Sequence, residues 1–281
     1  MKYGLIAGNG RFPFLVIEGA KRVGASVSVA AIHEETSREI ENLADRLSWV
    51  GIGQLGKMIR FFKDEGVERA IMAGQVKHFQ IFSRTIPDAR MLKLLLKLPR
   101  RNTDSLISAI ADELAAEGIE LIDSTYFLKD SVPQAGILTR RGPGTRERLD
   151  IDYGLEIAGK VGGLNLGQTI VVRGKACVAI EAMEGTDATI RRAGQLTRGR
   201  SGATILGKRA NLTGGHLTVV KLARPDQDMR FDVPVVGIPT LEVMIEAGAT
   251  CLCISAGKTL IFDRPQMVDR ADRHKIAVMA V

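Results

Sequence analysis

Between residues 3 and 122 the chain trades short apolar runs for stretches of helical periodicity, and that alternation restricts it to few architectures. Residues 3–7, 26–31, 46–50 and 69–73 read as short buried strands, while 12–23 and 54–64 repeat their apolar residues at helical spacing. A buried strand that returns through a helix meets its next neighbour in parallel. The pattern therefore predicts a parallel sheet with helices on both faces. Two more helices are expected around 89–98 and 103–117. The second is opened by Asn102 or Thr103 as a cap and closed by Gly118, and a strand at 119–122 comes after it.

From residue 129 the texture changes. KDSVPQAGILTRRGPGTRERLD is rich in Pro, Gly and Arg and reads as a linker. Beyond it, strand-like runs at 168–173 and 176–181 are joined by Gly174-Lys175, a hairpin signal. Next come a helix over 186–196, a strand from Leu217, a helix over 240–247, strands at 250–255 and 260–262, a helix over 265–274 and a strand at 276–280. A chain of 281 residues with 45% hydrophobic and 25% charged content suits two ordinary globular domains. The expected class is α/β: a Rossmann-like, nucleotide-binding parallel-sheet domain over 1–130, a linker over 131–149, and a mixed α/β catalytic domain over 150–281.

Composition narrows the function classes. Aromatic residues make up 5% of the chain, with one Trp, which argues against a stacking platform for single-stranded nucleic acid. The net charge is +7, with basic residues clustered at Arg100-Arg101, Arg140-Arg141, Arg191-Arg192 and across Arg198, Arg200, Lys208 and Arg209. Such clusters fit an anionic partner or plain surface solvation. Cys177, Cys251 and Cys253 lie in apolar, strand-like contexts and read as free thiols, with Cys251 and Cys253 expected on opposite faces of a strand. MKYGLIAGNG lacks signal-peptide architecture and no apolar run reaches membrane-span length, so a cytoplasmic protein is expected. The four histidines are scattered without metal-ligand spacing, and neither G-x-S-x-G nor a Walker A sequence occurs. Zinc hydrolysis and serine acyl transfer are thereby disfavoured.

Several short blocks carry candidate chemistry. KLARPDQDMRFDVPVVG, residues 221–237, sets Asp226, Asp228 and Asp232 among Lys221, Arg224 and Arg230, on a loop that leaves a strand at Pro225. Hard oxygen ligands beside cations suit Mg²⁺ with phosphate; the same spacing also fits a solvated loop with local ion pairs. Gly8-Asn9-Gly10 ends the first strand and opens a helix, where backbone N–H groups can approach a phosphate; Pro13 stands where a dinucleotide fingerprint wants glycine. Gly74-Gln75-Val76-Lys77 ends the fourth strand, at the sheet edge where ligands collect. Thr103 and Asp104, and Glu184-Gly185-Thr186-Asp187, stand at helix starts, where capping competes with ligand contact. The run 91–101, with Lys93 and Lys97 among leucines, fits an interfacial or acyl-contacting helix as well as a buried helix with snorkelling lysines.

Taken in order, GLIAGNGRFP, IMAGQVK, RNTDSL, EGTDATIRRAG and KLARPDQDMRFDVPVVG resemble the LpxI-type UDP-2,3-diacylglucosamine pyrophosphatases of Gram-negative lipid A synthesis, over essentially the whole chain. The resemblance implies Mg²⁺-dependent hydrolysis, with Mn²⁺ as an alternative ion, of UDP-2,3-diacylglucosamine to UMP and 2,3-diacylglucosamine-1-phosphate (lipid X). It implies a glycolipid-nucleotide bound between two domains, water attacking the phosphorus next to the sugar lipid, and no nucleic acid. Peripheral contact with the inner membrane surface is implied as well, and a homodimer is left open. The family's essential aspartate maps onto Asp228; Asp226 falls on a variable position and Arg224 on a common lysine.

The resulting expectation has Asp228, Asp226, Asp232 and Lys221 as catalytic residues, with Asp228, Glu184 and Asp187 holding the metal. Substrate contact is expected from Gly8, Asn9, Gly10, Gly74, Gln75, Lys77, Thr103, Asp104, Thr186, Arg224 and Arg230. Two rival classes share these residues: another nucleotide-sugar enzyme such as a transferase, and a basic RNA- or membrane-binding module, whose affinity would fall steeply with salt.

Overall fold

The computed structural model describes residues 2–76, 86–98, 103–164, 166–198, 204–205, 208–209 and 216–281. Lys77, His78, Arg100, Arg101, Asn102 and Arg200 lie outside them, as do the side chains of Thr103, Asp104, Arg198, Lys208 and Arg209. The described chain divides into two compact units. One comprises Met1–Leu128 with Asp228–Asp232, the other Lys129–Gln227 with Val233–Val281.

In the first unit, strands β1 (Lys2–Ala7), β2 (Ser26–Ile32), β3 (Arg46–Val50), β4 (Arg69–Ala73) and β5 (Glu120–Leu121) form one sheet in the order β3-β2-β1-β4-β5. Every pairing is parallel. Five consecutive residues of β1 are buried, as a strand covered on both faces requires. Helices α2 (Leu55–Asp64), α3 (Ala89–Lys97) and α4 (Thr103–Ala116) bury Phe62, Met91, Leu94, Leu106 and Leu114 against Ile6, Ala30, Ile32, Val50 and Ala70. The alternate residues Leu5, Val29 and Ile71 are also buried and project the other way, where α1 (Phe12–Arg22) packs on β2 and β4. The alternation in the sequence thus yields the parallel sheet it predicts, with element ends displaced by one or two residues.

In the second unit, the sheet order is β6-β15-β13-β11-β7-β8, where β6 is Gly136–Ile137, β7 Thr169–Arg173, β8 Ala176–Ile180, β11 Leu217–Lys221, β13 Ala249–Ile254 and β15 Ala277–Ala280. The central β11, β13 and β15 run parallel, and β6, β7 and β8 add antiparallel edges. A short antiparallel pair, β9 (Thr204–Ile205) with β10 (Lys208–Arg209), and a parallel pair, β12 (Val235–Val236) with β14 (Leu260–Ile261), stand apart from it. Helices α6 (Thr186–Arg198), α7 (Ile238–Ala247) and α8 (Arg264–Arg273) cover one face through Ile190, Leu241, Met244 and Met267. The long helix α5 (Thr145–Gly163) covers the other through Ile151, Ala158 and Val161.

Sequence periodicity missed α5 because glycines interrupt its buried stripe. Gly154 is needed there, since a Cβ would stand 2.6 Å from Val220 Cγ2. Cys251 and Cys253 correct an expectation: they share one face of β13, both packed against the α5 side, because strand residues two apart project the same way. Both are buried free thiols, and Cys177 is a half-buried one. Burial pushes the Cys253 thiol up to about 12, which makes it a packing residue.

The start of α5 is fixed by an ion pair between the buried Glu147 and the part-exposed Arg141. Glu147 accepts from Arg141 Nη1 and Nη2 at 2.7 and 2.8 Å, from Thr250 Oγ1 at 2.6 Å and from the Gly144 amide at 2.7 Å. Burial raises its pKa, but the bonds from Arg141, Thr250 and Gly144 outweigh that and hold it at about 2, below the ordinary 4.5. A depressed carboxyl stabilises the fold fully above about pH 4.5 and loses that contribution as pH falls towards 2. Glu147→Gln is expected to destabilise the protein at pH 7 by on the order of 2–3 kcal/mol, less than a fully enclosed pair because Arg141 is part-exposed. Denaturant melts at pH 7 and pH 3 check this: the gap between the two proteins must shrink at pH 3, and a pH-independent gap would remove the ion pair as its cause.

Candidate active site at the edge of the first sheet

The order of the first sheet reverses direction at β1, whose neighbours are β2 on one side and β4 on the other. In open parallel sheets the crevice at such a reversal, beyond the carboxyl ends of the strands, is where ligands bind. Here that edge is made by Gly8-Asn9-Gly10 after β1 and Gly74-Gln75 after β4. The two loops are stitched by backbone bonds: Gly8 N–H to Ala73 O at 2.8 Å, Asn9 N–H to Gln75 O at 2.8 Å, and Gln75 N–H to Asn9 O at 3.0 Å.

This stitching accounts for two of the glycines without a ligand. A Cβ on Gly8 would lie 2.6 Å from Gln75 O, and one on Gly74 2.6 Å from Asn9 O. Gly74 also has φ +94°, and Gly10 φ +92°, both in the region that favours glycine. The amides of Gly8 and Asn9 are consumed by the pairing, whereas Asn9, Gly10 and Gln75 are themselves exposed at the rim. Close backbone approach therefore fixes the loops, and the exposed side chains of Asn9 and Gln75 are what they present.

The acid-and-cation segment reaches this same edge. Asp228–Asp232 clusters with the first 128 residues although it lies about a hundred residues further along the chain. Its backbone makes one tight turn, with Asp228 O accepting from the Phe231 and Asp232 amides at 3.0 Å each. Phe231 packs against the core formed by α2, α3 and α4. Ser124, just beyond β5, donates its amide to Met229 O at 2.9 Å, and its hydroxyl lies 2.7 Å from Met72 O and 2.9 Å from Arg230 O.

Within the turn, Arg230 Nη2 donates to Asp228 Oδ2 at 2.7 Å and Nε to Oδ1 at 3.0 Å, while the Arg230 amide donates to Oδ1 at 3.0 Å. The guanidinium lies 4.7 Å from the Phe231 ring centre. The Arg230 bond holds the Asp228 carboxyl below the usual carboxylate range, and the Arg230 pKa is raised in turn, with Asp112 on α4 adding to it. Asp228 is thus an ionised, half-exposed carboxylate, a poor proton acceptor at neutral pH and a good oxygen ligand.

The other candidates belong to the second unit. Lys221, at the end of β11, is buried and donates to Thr186 Oγ1 at 3.0 Å and to Val235 O at 2.9 Å. Thr186 Oγ1 donates to the buried Glu181 at 2.9 Å and lies 3.2 Å from Thr169 Oγ1. Lys221, Thr186, Glu181 and Thr169 therefore form one polar cluster at the edge of the second sheet. Glu184 accepts from the Ala182 amide, Thr189 Oγ1 and Arg192, and its pKa is lowered by its own amide and by Arg192. Asp187 sits in the first turn of α6, where a negative charge meets the positive end of the helix dipole. Arg224 and Gln227 close a turn, Gln227 Oε1 accepting from the Arg224 amide at 2.8 Å, with Asp226 exposed between them. Asp232 ends the Asp228 turn, half-exposed.

Among the described residues no three His, Cys, Asp or Glu side chains group as a metal site. Asp228 lies in the first unit, and Glu184 and Asp187 in the second. Mg²⁺ is commonly held by one or two carboxylates plus substrate phosphates and water, and the ionised, half-exposed Asp228 fits that mode. Sequence reasoning missed Ser124 and Asp112. The run Asp123-Ser124-Thr125, polar and just past a strand end, was the available signal for the first; Asp112 gave none, being one acid on a helix.

A family model described as the LpxI N-terminal domain matches residues 2–131, and one described as the LpxI C-terminal domain matches residues 134–279. The chain is 31% identical, over 285 aligned positions, to the UDP-2,3-diacylglucosamine pyrophosphatase LpxI of Caulobacter vibrioides, covering 100% of this chain and 97% of that protein. Among solved structures, phosphoribosylglycinamide synthetase from Anaerococcus prevotii aligns with TM-score 0.26 and 17% identity, over 65% of this chain and 39% of that one. The biotin carboxylase domain of Hydrogenobacter thermophilus 2-oxoglutarate carboxylase aligns with TM-score 0.27 and 13% identity, over 70% of this chain and 41% of that one. Likeness at these TM-scores carries no argument.

Proposed function

The chain belongs to the LpxI family, and on that premise we propose that it hydrolyses the diphosphate of UDP-2,3-diacylglucosamine to UMP and 2,3-diacylglucosamine-1-phosphate, in a reaction that needs Mg²⁺. The observation that carries the reading is Asp228 with Arg230 in a turn that Ser124 ties to Met72, near the carboxyl end of β4 in the first sheet. That edge suits a nucleotide, with Asn9 and Gln75 exposed to meet base or sugar. A diphosphate then falls towards Arg230, whose guanidinium matches phosphate oxygens in a bidentate fashion.

Arg230 and Asp228 pair with each other through the guanidinium and the carboxylate. An incoming diphosphate competes for the guanidinium and releases the carboxylate. Asp228, freed and ionised, orients a water for in-line attack and is the residue that would hold Mg²⁺ shared with the phosphates. When bound, the ion supplies charge neutralisation at the phosphoryl oxygens. No covalent nucleophile is needed, since phosphoryl transfer to water is governed by positioning and electrostatics. In the second unit, Lys221 and Thr186 are bound to one another in the buried cluster, so they act in this reading as a support for the 222–227 turn.

Contact with a membrane surface has its own support. Helix α3 exposes Leu92 and Leu96, one turn apart, beside Lys93 and Lys97, and Ile86 precedes it at 91% exposure. Among the described residues no helix is long and apolar enough to cross a membrane. The exposed leucines and lysines of α3 suit a surface contact that delivers a two-chain glycolipid. A cosedimentation assay with anionic vesicles decides it: Leu92→Asp with Leu96→Asp must lower the bound fraction.

The deciding experiment for the reaction incubates the purified chain with UDP-2,3-diacylglucosamine and water, with Mg²⁺ or with EDTA, and reads products by mass spectrometry. UMP and lipid X are expected with Mg²⁺ and neither with EDTA. Turnover only when an acceptor sugar is added would assign a transferase instead, and undiminished turnover in EDTA would remove the metal.

A further inference from the structure

We infer that Ser124 is the positioning residue that holds the Asp228 turn in its working place on the first sheet. The inference rests on the proposed function for its kinetic consequence and on geometry alone for its structural one.

Ser124 is 1% exposed, and its hydrogen bonds run to two places. Its amide meets Met229 O at 2.9 Å and its hydroxyl meets Arg230 O at 2.9 Å, the carbonyls of the two residues after Asp228. The same hydroxyl lies 2.7 Å from Met72 O, near the end of β4 and just before the Gly74-Gln75 loop. A serine hydroxyl has one proton, so the two carbonyls share it. That single short side chain therefore joins the sheet edge to the turn.

Two other contacts of the turn act elsewhere. Phe231 packs into the core, and the bonds from Phe231 and Asp232 to Asp228 O close the turn on itself. Neither ties Asp228 to the strand ends. Without the hydroxyl the turn keeps the residue-124 amide on Met229 O, but it opens more readily and gains freedom to shift relative to Asn9 and Gln75. Misplacement of a reacting group by about 1 Å costs on the order of a hundredfold in rate.

The test is a double-mutant cycle with Ser124→Ala and Asp228→Ala, read with UDP-2,3-diacylglucosamine, together with backbone hydrogen exchange on each protein. Ser124→Ala is expected to lower kcat about ten- to a hundredfold with KM within about threefold, kcat being counted per folded molecule from a thermal melt so that partial unfolding cannot produce the split. On the Asp228→Ala background the same change should cost less than about twofold, because Ser124 acts through Asp228. Exchange at the Phe231 and Asp232 amides should quicken at least about tenfold while the β1 and β4 amides stay protected.

An unchanged kcat, or an equal loss in both backgrounds, overturns the inference. Ser124→Cys, near in volume and a weaker donor, covers failure of the alanine chain to fold and should give an intermediate kcat. A wild-type chain without turnover refutes the proposed function and leaves hydrogen exchange to decide on Ser124: unchanged protection at Phe231 and Asp232 overturns its role, and quickened exchange upholds the clasp.

Discussion

Asp228→Ala is expected to lower kcat at least about a hundredfold while leaving the fold in place. The carboxylate is half-exposed and its role in folding is confined to a local pair with Arg230, so its loss removes little stability. Its loss for chemistry is larger, because Asp228 is the carboxylate that the proposed mechanism sets against both the water and the cation. Removing a group that orients the attacking water and meets the cation costs at least about two orders of magnitude. KM should change far less than kcat, since Arg230 remains to meet the diphosphate, now without a competitor. Steady-state kinetics with a thermal melt of each protein measures both, and activity within about tenfold of wild type would dismiss Asp228 from the reaction.

Cutting the chain between Leu128 and Lys129 should abolish turnover by either fragment alone. The first unit is built from the first 128 residues plus Asp228–Asp232, so the amino-terminal fragment lacks the acid. The carboxyl-terminal fragment carries the acid but lacks Met72, Ser124 and the loops of β1 and β4. Its Asp228 turn then has no Ser124 to bind and no sheet edge to face. Product formation by each fragment, assayed at equal concentration beside the intact chain, tests this. A near-native rate from residues 129–281 alone would show that the reaction needs nothing from the first sheet.

Much of this was legible from residues in order. Runs of β-branched and apolar residues marked β1 and β2 because a strand covered on both faces is largely apolar, which few other elements share. Pro225 and the three aspartates marked a loop leaving β11, and the chain does leave the sheet as a loop after Lys221. Helix α5 was not legible: its buried stripe includes Gly154 and Gly162, and the value of Gly154 lies in letting the helix approach Val220 rather than in hydrophobicity. The glycines after β1 read as a ligand loop, and the close approach to Gln75 O by itself requires Gly8.

Residue order alone settled the alternation of strands and helices, the family to which the sequence blocks belong, and which residue types could meet a diphosphate. Periodicity and motif spacing are properties of neighbours along the chain, so reading them needs no coordinates. Three features required the folded chain: that Asp228–Asp232 joins the first unit, that Arg230 holds Asp228, and that Ser124 ties the turn to β4. The tie rests on single hydrogen bonds between residues as far apart as 106 positions, Ser124 to Arg230. One bond at that separation leaves no periodic trace in either segment, because its partners are selected by the folded sheet edge that brings them together.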